Sequence, residues 1–401
     1  MSFIDIQGLP KIPSEILKPE GLPLFRLGFR FFFFAAALWS VLTLALWGLM
    51  YSGVINFPHH FMPMQWHGRE MIFGFTAAVI AGFLLTAAGN WTGLPMPAGK
   101  ALQGLALLWS AGRLLPLFPG IPLPVVGMVD VGFFVVLAFT LAIPLRKAKQ
   151  VRNFPFPILL LGLGLADALS FTQFRNPQGL AVGSELGISI CLGVVMLMGG
   201  RVIPGFTKGR VQNARTRTFP WVEKWALGLF VMAAVSELCA LPSWLWATFF
   251  LIAGLLHALR LAGWFTPEIS KQPLLWILHV AYFWLVLGLI LKGLAGFGWG
   301  NPMLARHSLT AGALGSICLG MMTRVTLGHT GRAMQVPPVT VISFLFIQLA
   351  VMCRVLLPLF HPRSYLMGIQ LSVIFWIAAY GIYLVFYGPM LFKPRVDGKR
   401  G

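Results

Sequence analysis

Residues 67–88 read HGREMIFGFTAAVIAGFLLTAA, and after Glu70 the run carries no charged side chain as far as Ala88. Its apolar residues do not alternate with polar ones, so it is not a half-buried strand. About 20 such residues, rising ~1.5 Å each in a helix, cover a hydrocarbon core of ~30 Å. The same pattern recurs along the chain and predicts helices over 29–51, 67–88, 100–118, 122–145, 154–174, 178–200, 220–240, 243–263, 273–294, 306–330, 338–358 and 363–388. Pro and Gly punctuate the turns between them, as at Pro116, Pro155, Pro220, Pro273 and Pro302.

Composition points the same way. The 401 residues are 58% hydrophobic and 10% charged, against about 25% charged in a soluble domain. Lipid is then the main solvent, and every backbone polar group needs an internal partner, which leaves helices or closed barrels. The expected fold is all-α: a polytopic membrane bundle of about twelve transmembrane helices. Residues 1–24 read as a Pro-rich cytoplasmic tail, 25–390 as one helical membrane domain and 391–401 as a second cytoplasmic tail. The first apolar run, near Phe31, has no small-residue cleavage site after it and reads as a retained helix.

The formal charge is +19, from 30 Lys and Arg against 11 Asp and Glu. The basic residues fall in short loops: Arg146, Lys147, Lys149 and Arg152, then Arg201, Lys208, Arg210, Arg215 and Arg217, then Lys393, Arg395, Lys399 and Arg400. All three groups follow even-numbered helices, while Arg26 and Arg30 precede the first. This is the positive-inside pattern, with both chain ends cytoplasmic and anionic lipid, not nucleic acid, as the partner. Cys191, Cys239, Cys318 and Cys353 each stand alone in an apolar run and read as small buried residues. No Walker loop, dinucleotide fingerprint, internal repeat or soluble domain is visible.

Ionisable residues inside a membrane are costly and default to functional hypotheses. His67 opens helix 2 and His307 opens helix 10, both at the outer face. His257 and His279 lie ~5–6 Å to the cytoplasmic side of the midplane of helices 8 and 9. These are two histidine pairs matched in depth, and histidine ligates b-type haem and copper. The bland reading of each is an interfacial or hydrogen-bonded residue. His329 ends helix 10 deeper than the inner pair and joins it only if that helix bends near Gly328. Glu70, three residues after His67, shares its helix face and would orient the imidazole, or else serves as a helix-start acid. Gly74 on that face leaves room for a flat macrocycle. Arg113, Arg201, Arg260, Arg306, Arg324 and Arg332 flank helix ends as interface markers or partners of haem propionates.

Glu70, Asp130, Asp167, Glu185 and Glu237 are the acids inside helices at membrane depth, all in the outer half. They suggest a hydrated route for protons or a cation toward the outer histidines, or acids merely tolerated away from the basic side. A copper-thioether route through Met62 and Met64, beside His59 and His60, is a further reading of the first outer loop.

Several motifs together resemble one family. They are Phe25-Arg26-Leu27-Gly28-Phe29-Arg30, Trp66-His67, Glu70-Met71-Ile72-Phe73-Gly74-Phe75, Ala81-Gly82-Phe83-Leu84-Leu85-Thr86, Asn90-Trp91-Thr92-Gly93, Gly112-Arg113 and Gly200-Arg201-Val202-Ile203-Pro204. Then come His257 with Arg260, His279 with Tyr282, His307 with Gly312-Ala313, Met322 with Arg324, and Gly328-His329-Thr330-Gly331-Arg332. The chain resembles the NnrS family of haem- and copper-containing membrane proteins over most of its length. The resemblance implies a bacterial inner-membrane protein of the nitric oxide and nitrosative stress response, with haem b and copper as cofactors. It is also distantly similar to haem-copper oxidases, which hold a low-spin haem between histidines of helices 2 and 10, here His67 and His307. His257, His279 and His329 would then hold the second centre. The family often has a second histidine two positions after the first, where this chain has Arg69. The oxidases' adjacent histidines on helix 7 and His-x-His on helix 10 are missing, so reduction at a binuclear centre is not expected. The competing readings are a twelve-helix transporter without a redox cofactor, and a structural subunit.

Overall fold

The computed structural model describes residues 21–56, 60–172, 182–212 and 214–399. The N-terminal tail expected over 1–24 falls largely outside the described residues, as does His59.

Twelve long helical segments build the described chain, with no strand among the described residues. They are α1 (Gly28–Tyr51), α2 (Pro63–Thr92), α3 (Lys100–Leu114), α4 (Leu123–Lys147), α5 (Pro155–Thr172) and α6 (Val182–Arg210). The second half holds α7 (Pro220–Leu238), α8 (Ser243–Trp264), α9 (Pro273–Gly296), α10 (Pro302–His329), α11 (Pro338–Phe360) and α12 (Tyr365–Phe386). Ten of these segments are long and apolar enough to cross a membrane. The exceptions are α3, which is 15 residues long, and α7, whose first turn carries Glu223 and Lys224. The protein is thus a multi-pass membrane protein.

Local chemistry sets the ends. Proline occupies the first turn of α2, α7, α9, α10 and α11, where its missing N–H costs nothing and its fixed φ suits the helix. Asn301 caps α10 by accepting from the Met303 N–H at 2.8 Å. Gly93 ends α2 in the left-handed region, φ +67°.

Each helix packs against the next, and α1 closes the ring by packing on both α2 and α12. At the centre α2, α6 and α10 touch one another. The inner α2 and α10 are the most buried of the spanning helices. The three inner helices divide the bundle into three compartments: α2–α5 with α6, α6–α9 with α10, and α10–α12 with α1 and α2.

The two ends of the bundle differ in charge. Arg30, at the start of α1, donates to the carbonyls of Leu391 and Lys393 at 2.9 and 2.8 Å, so the segment after α12 returns to the start of α1. On this terminal face lie the basic ends of α4, α6 and α10. The opposite face, where α2 and α10 begin, carries His67 and His307.

Close approach of α9 to α10 depends on glycine. A Cβ on Gly312 would lie 2.7 Å from Cβ of Trp284, and one on Gly288 would lie 2.6 Å from Cγ of Leu309. Small residues at such crossings let packing hold helices that lipid does not drive together. Gly312→Ala is expected to cost about 1–3 kcal/mol through forced separation. Gly132→Ala, with nothing within 4 Å of the new methyl, should not lower stability. Thermal unfolding of the two purified variants in detergent measures the difference.

Candidate functional site

The site is built by interruptions in three helices. Residues Glu70–Thr76 in α2, Ser308–Gly315 in α10 and Met352–Leu356 in α11 wind as π-helix. A π-turn inserts a residue and rotates everything after it, and such turns concentrate at functional sites. The three meet around one cavity of about 160 Å³ on the far side from the chain ends. Met71, Ile72, Phe75, Thr310, Ala311, Leu314 and Arg354 of the π-segments line it, and so do His67 and His307.

The two imidazoles are held differently. His67 stacks on Trp47 with ring centroids 4.3 Å apart, and its buried Nδ1 makes no hydrogen bond. His307 Nδ1 lies 2.8 Å from the Met303 carbonyl, an acceptor only, so Nδ1 carries the proton and Nε2 keeps its lone pair. Two cations share the wall with them, Arg306 and Arg354. Arg354 donates to the Tyr365 hydroxyl at 3.2 Å, and its Nη1 is buried without a hydrogen bond. The rest of the lining is largely aromatic and aliphatic. Two imidazoles, an apolar wall and Arg354, which has no salt bridge among the described residues, suit the donor chemistry of an anionic ligand that carries a metal.

Two expectations about α2 are corrected. Glu70 does not orient His67: its Oε2 accepts from Arg113 Nη1 at 2.9 Å and from the Trp39 indole N–H at 2.7 Å. Gly74 does not make room in the cavity either, because a Cβ there would meet Glu70 and Trp39 at 2.9 Å. The reason is the side of α2 on which they lie: Glu70 and Gly74 face Trp39 of α1 and Arg113 and Trp109 of α3, while Met71, four residues after His67, shares the cavity wall with it.

Glu70 belongs instead to a buried ionic network in the α2–α5 compartment. Asp130 of α4 bridges two guanidinium groups, one oxygen to Arg69 of α2 and the other to Arg113 of α3. Asp167 of α5 lies 2.8 Å from Arg69, and Ser170 accepts from Arg69. The Arg69 guanidinium sits 4.1 Å from the Phe171 ring centroid and 4.9 Å from that of Phe61. Glu185 and Glu237 form a second group, where Lys292 of α9 reaches them at 3.0 and 2.7 Å and Arg306 pairs with Glu185. The five acids thus split into two ion-paired groups, instead of lining one route.

His257 and His279 lie in the α6–α9 compartment. Tyr282 stands between His257 Nδ1, at 2.7 Å, and Arg260, which donates to its hydroxyl at 2.8 Å. Arg260 is also paired with Glu223, 2.5 Å away. His279 Nδ1 lies 3.0 Å from the Leu275 carbonyl. Nε2 of both histidines is buried without a hydrogen bond, although the carbonyls of Ala226 and Trp264 are near neighbours. His329 sits elsewhere, 5.6 Å from the Phe29 ring at the terminal face, its carbonyl accepting from Arg395. Among the described residues no three His, Cys, Asp or Glu side chains come together as a metal cluster.

The remaining arginines are dispersed. Arg201 donates to Asn153 at 2.9 Å, Arg324 lies over the Phe206 ring at 3.5 Å, and Arg332 has a buried Nη1 without a hydrogen bond. None of these three lines the cavity, nor do Arg113 and Arg260. Sequence reasoning missed Arg354, Tyr365 and Trp47. Arg354 carried a usable signal, as the lone charged residue in the apolar run of α11.

The sequence profile of a family described as "NnrS protein" matches residues 23–395, nearly the whole chain. A curated relative, the Na(+)/H(+) antiporter NhaA of Gluconobacter oxydans (strain 621H), is 28% identical over 193 residues. That match covers 46% of this chain and 43% of the antiporter, so the chain spans less than half the length of the relative it matches.

The network makes a stability prediction. Arg113→Met removes the ion-pair partner of Glu70 and one of the two partners of Asp130, side chains at most 3% exposed, and is expected to cost about 3–5 kcal/mol. Arg363→Met, on an exposed turn, should stay within about 0.5 kcal/mol. Denaturation midpoints of both variants check it.

Proposed function

The chain belongs to the NnrS family, and from that membership and the cavity between His67 and His307 we propose a haem- and copper-binding membrane protein of the bacterial nitric oxide response. The observation that carries the proposal is the pair of imidazoles on one cavity wall, with no hydrogen bond at His67 Nδ1 and with His307 Nδ1 turned to the Met303 carbonyl, which leaves Nε2 as the basic nitrogen. His67 and His307 would hold haem b, which would supply electron transfer. Trp47 holds the plane of the His67 ring and the Met303 carbonyl fixes the tautomer of His307. Arg306 and Arg354 would neutralise the haem carboxylates, and the apolar lining excludes water.

The family resemblance makes His257 and His279 the candidates to hold copper, which would supply a redox-active position for nitric oxide; their Nε2 atoms make no hydrogen bond but lie beside different carbonyls, so a shared ion requires the rings to turn. His329 and Arg332 stay outside this reading because they lie at the terminal face. The basic residues on that face support an inner-membrane orientation with both chain ends cytoplasmic.

A second reading, cation–proton exchange, draws on the partial similarity to the antiporter and on Lys292 buried between Glu185 and Glu237. Metal content separates the two.

Reduced-minus-oxidised visible spectra and metal analysis of the purified protein test the proposal. His67→Ala and His307→Ala should each abolish the same haem signal. The double variant His257→Ala/His279→Ala should lower copper and leave haem in place. A wild type that carries neither metal and exchanges sodium for protons in proteoliposomes overturns the redox reading.

A further inference from the structure

The ionic network of the α2–α5 compartment does not balance. Among the described residues it contains two guanidinium groups, Arg69 and Arg113, and three carboxyl groups, Glu70, Asp130 and Asp167, none more than 3% exposed. Among the described residues the surrounding elements add no further charge: α1 contributes the Trp39 indole, α5 the Ser170 hydroxyl, and α6 Gly183, packed against Ser170. A surplus negative charge in this interior has no solvent to stabilise it, so the site must take up a proton or a cation.

The geometry distinguishes the three acids. Each oxygen of Asp130 accepts from a guanidinium. Glu70 accepts through Oε2 from Arg113 and Trp39. Asp167 is fully buried, and neither of its oxygens has a hydrogen bond. Its one close cationic atom is Arg69 Nη2, 2.8 Å from Oδ1, the nitrogen already donated to Asp130. Asp167 is therefore the carboxyl least able to keep a charge. A metal cation fits poorly, because two guanidinium groups face the same space and no metal-ligating cluster exists among the described residues.

We propose that this network holds one exchangeable proton, carried on Asp167, and so forms a proton-storage site in the α2–α5 compartment. The site borders the cavity: Glu70 opens the π-segment whose next residues, Met71 and Ile72, line the cavity wall. A proton gained or lost there changes the charge felt by whatever the cavity holds. The proposal does not rest on haem or copper, and its test reads neither.

Infrared spectra of the purified full-length protein, equilibrated in H2O and in D2O, provide the test. The wild type should show a protonated carboxylic C=O band, above the carboxylate bands, that moves to lower frequency in D2O. Asp167→Asn, neutral and nearly isosteric with the protonated acid, should fold with an unchanged thermal midpoint and lose that band. Asp397→Asn, in the tail after α12, should keep it. The absence of such a band, its survival in Asp167→Asn, or its failure to shift in D2O overturns the proposal. So does an Asp167→Asn protein that no longer folds, since that would show the ionised carboxylate to be required.

Discussion

A charge inside a bilayer must bring its counter-ion with it, and this constraint shapes the interior of the bundle. Arg69, near the start of α2, and Arg113, in the last turn of α3, can be buried only because Asp130 bridges them, with Glu70 and Asp167 at the flanks. Lys292 is tolerated only between Glu185 and Glu237. Removing one partner from such a group leaves a charge with neither solvent nor mate, which is why these ties hold neighbouring helices in register. The first network fastens α2 to α3, α4 and α5. The second fastens α6 to α7, α9 and α10.

With two compartments locked by charge, the third is free to be different. Around α1, α2, α10, α11 and α12 the interior holds a cavity instead of a network. There the buried cation Arg354 has a hydroxyl and an aromatic ring as its neighbours, not a carboxylate. The π-turns explain how α2 and α10 serve both sides. Each helix begins regularly, carries its histidine, then rotates by one inserted residue. In α2, Glu70 and Gly74 face Trp39 while Met71 and Phe75 face the cavity.

The order and placement of the helices were legible, with ends off by up to ten residues as in α6, because apolar runs of membrane length allow few alternatives. The expected helix over 67–88 is observed over Pro63–Thr92, and the one over 273–294 over Pro273–Gly296. The placement of His67 and His307 at one end of two inner helices also follows from counting. What could not be read is anything that depends on rotation about a helix axis. Glu70 appeared to share a face with His67, and the observed rotation of α2 turns Glu70 to Trp39 and Arg113 instead. Which acid pairs with which arginine is likewise a tertiary fact, since Arg69 and Asp167 lie on helices far apart in sequence. His329 illustrates the converse: its position at the end of α10 was plain, while its neighbours Phe29 and Arg395 come from the two ends of the chain.

The central claim is that His67 and His307 grip one metal centre from opposite inner helices. Electron paramagnetic resonance of the oxidised, purified protein reads this directly. The account predicts a low-spin ferric haem signal, the signature of two imidazole axial ligands. A spectrum without a haem signal, or one with only a high-spin haem that has a single strong axial ligand, would contradict it.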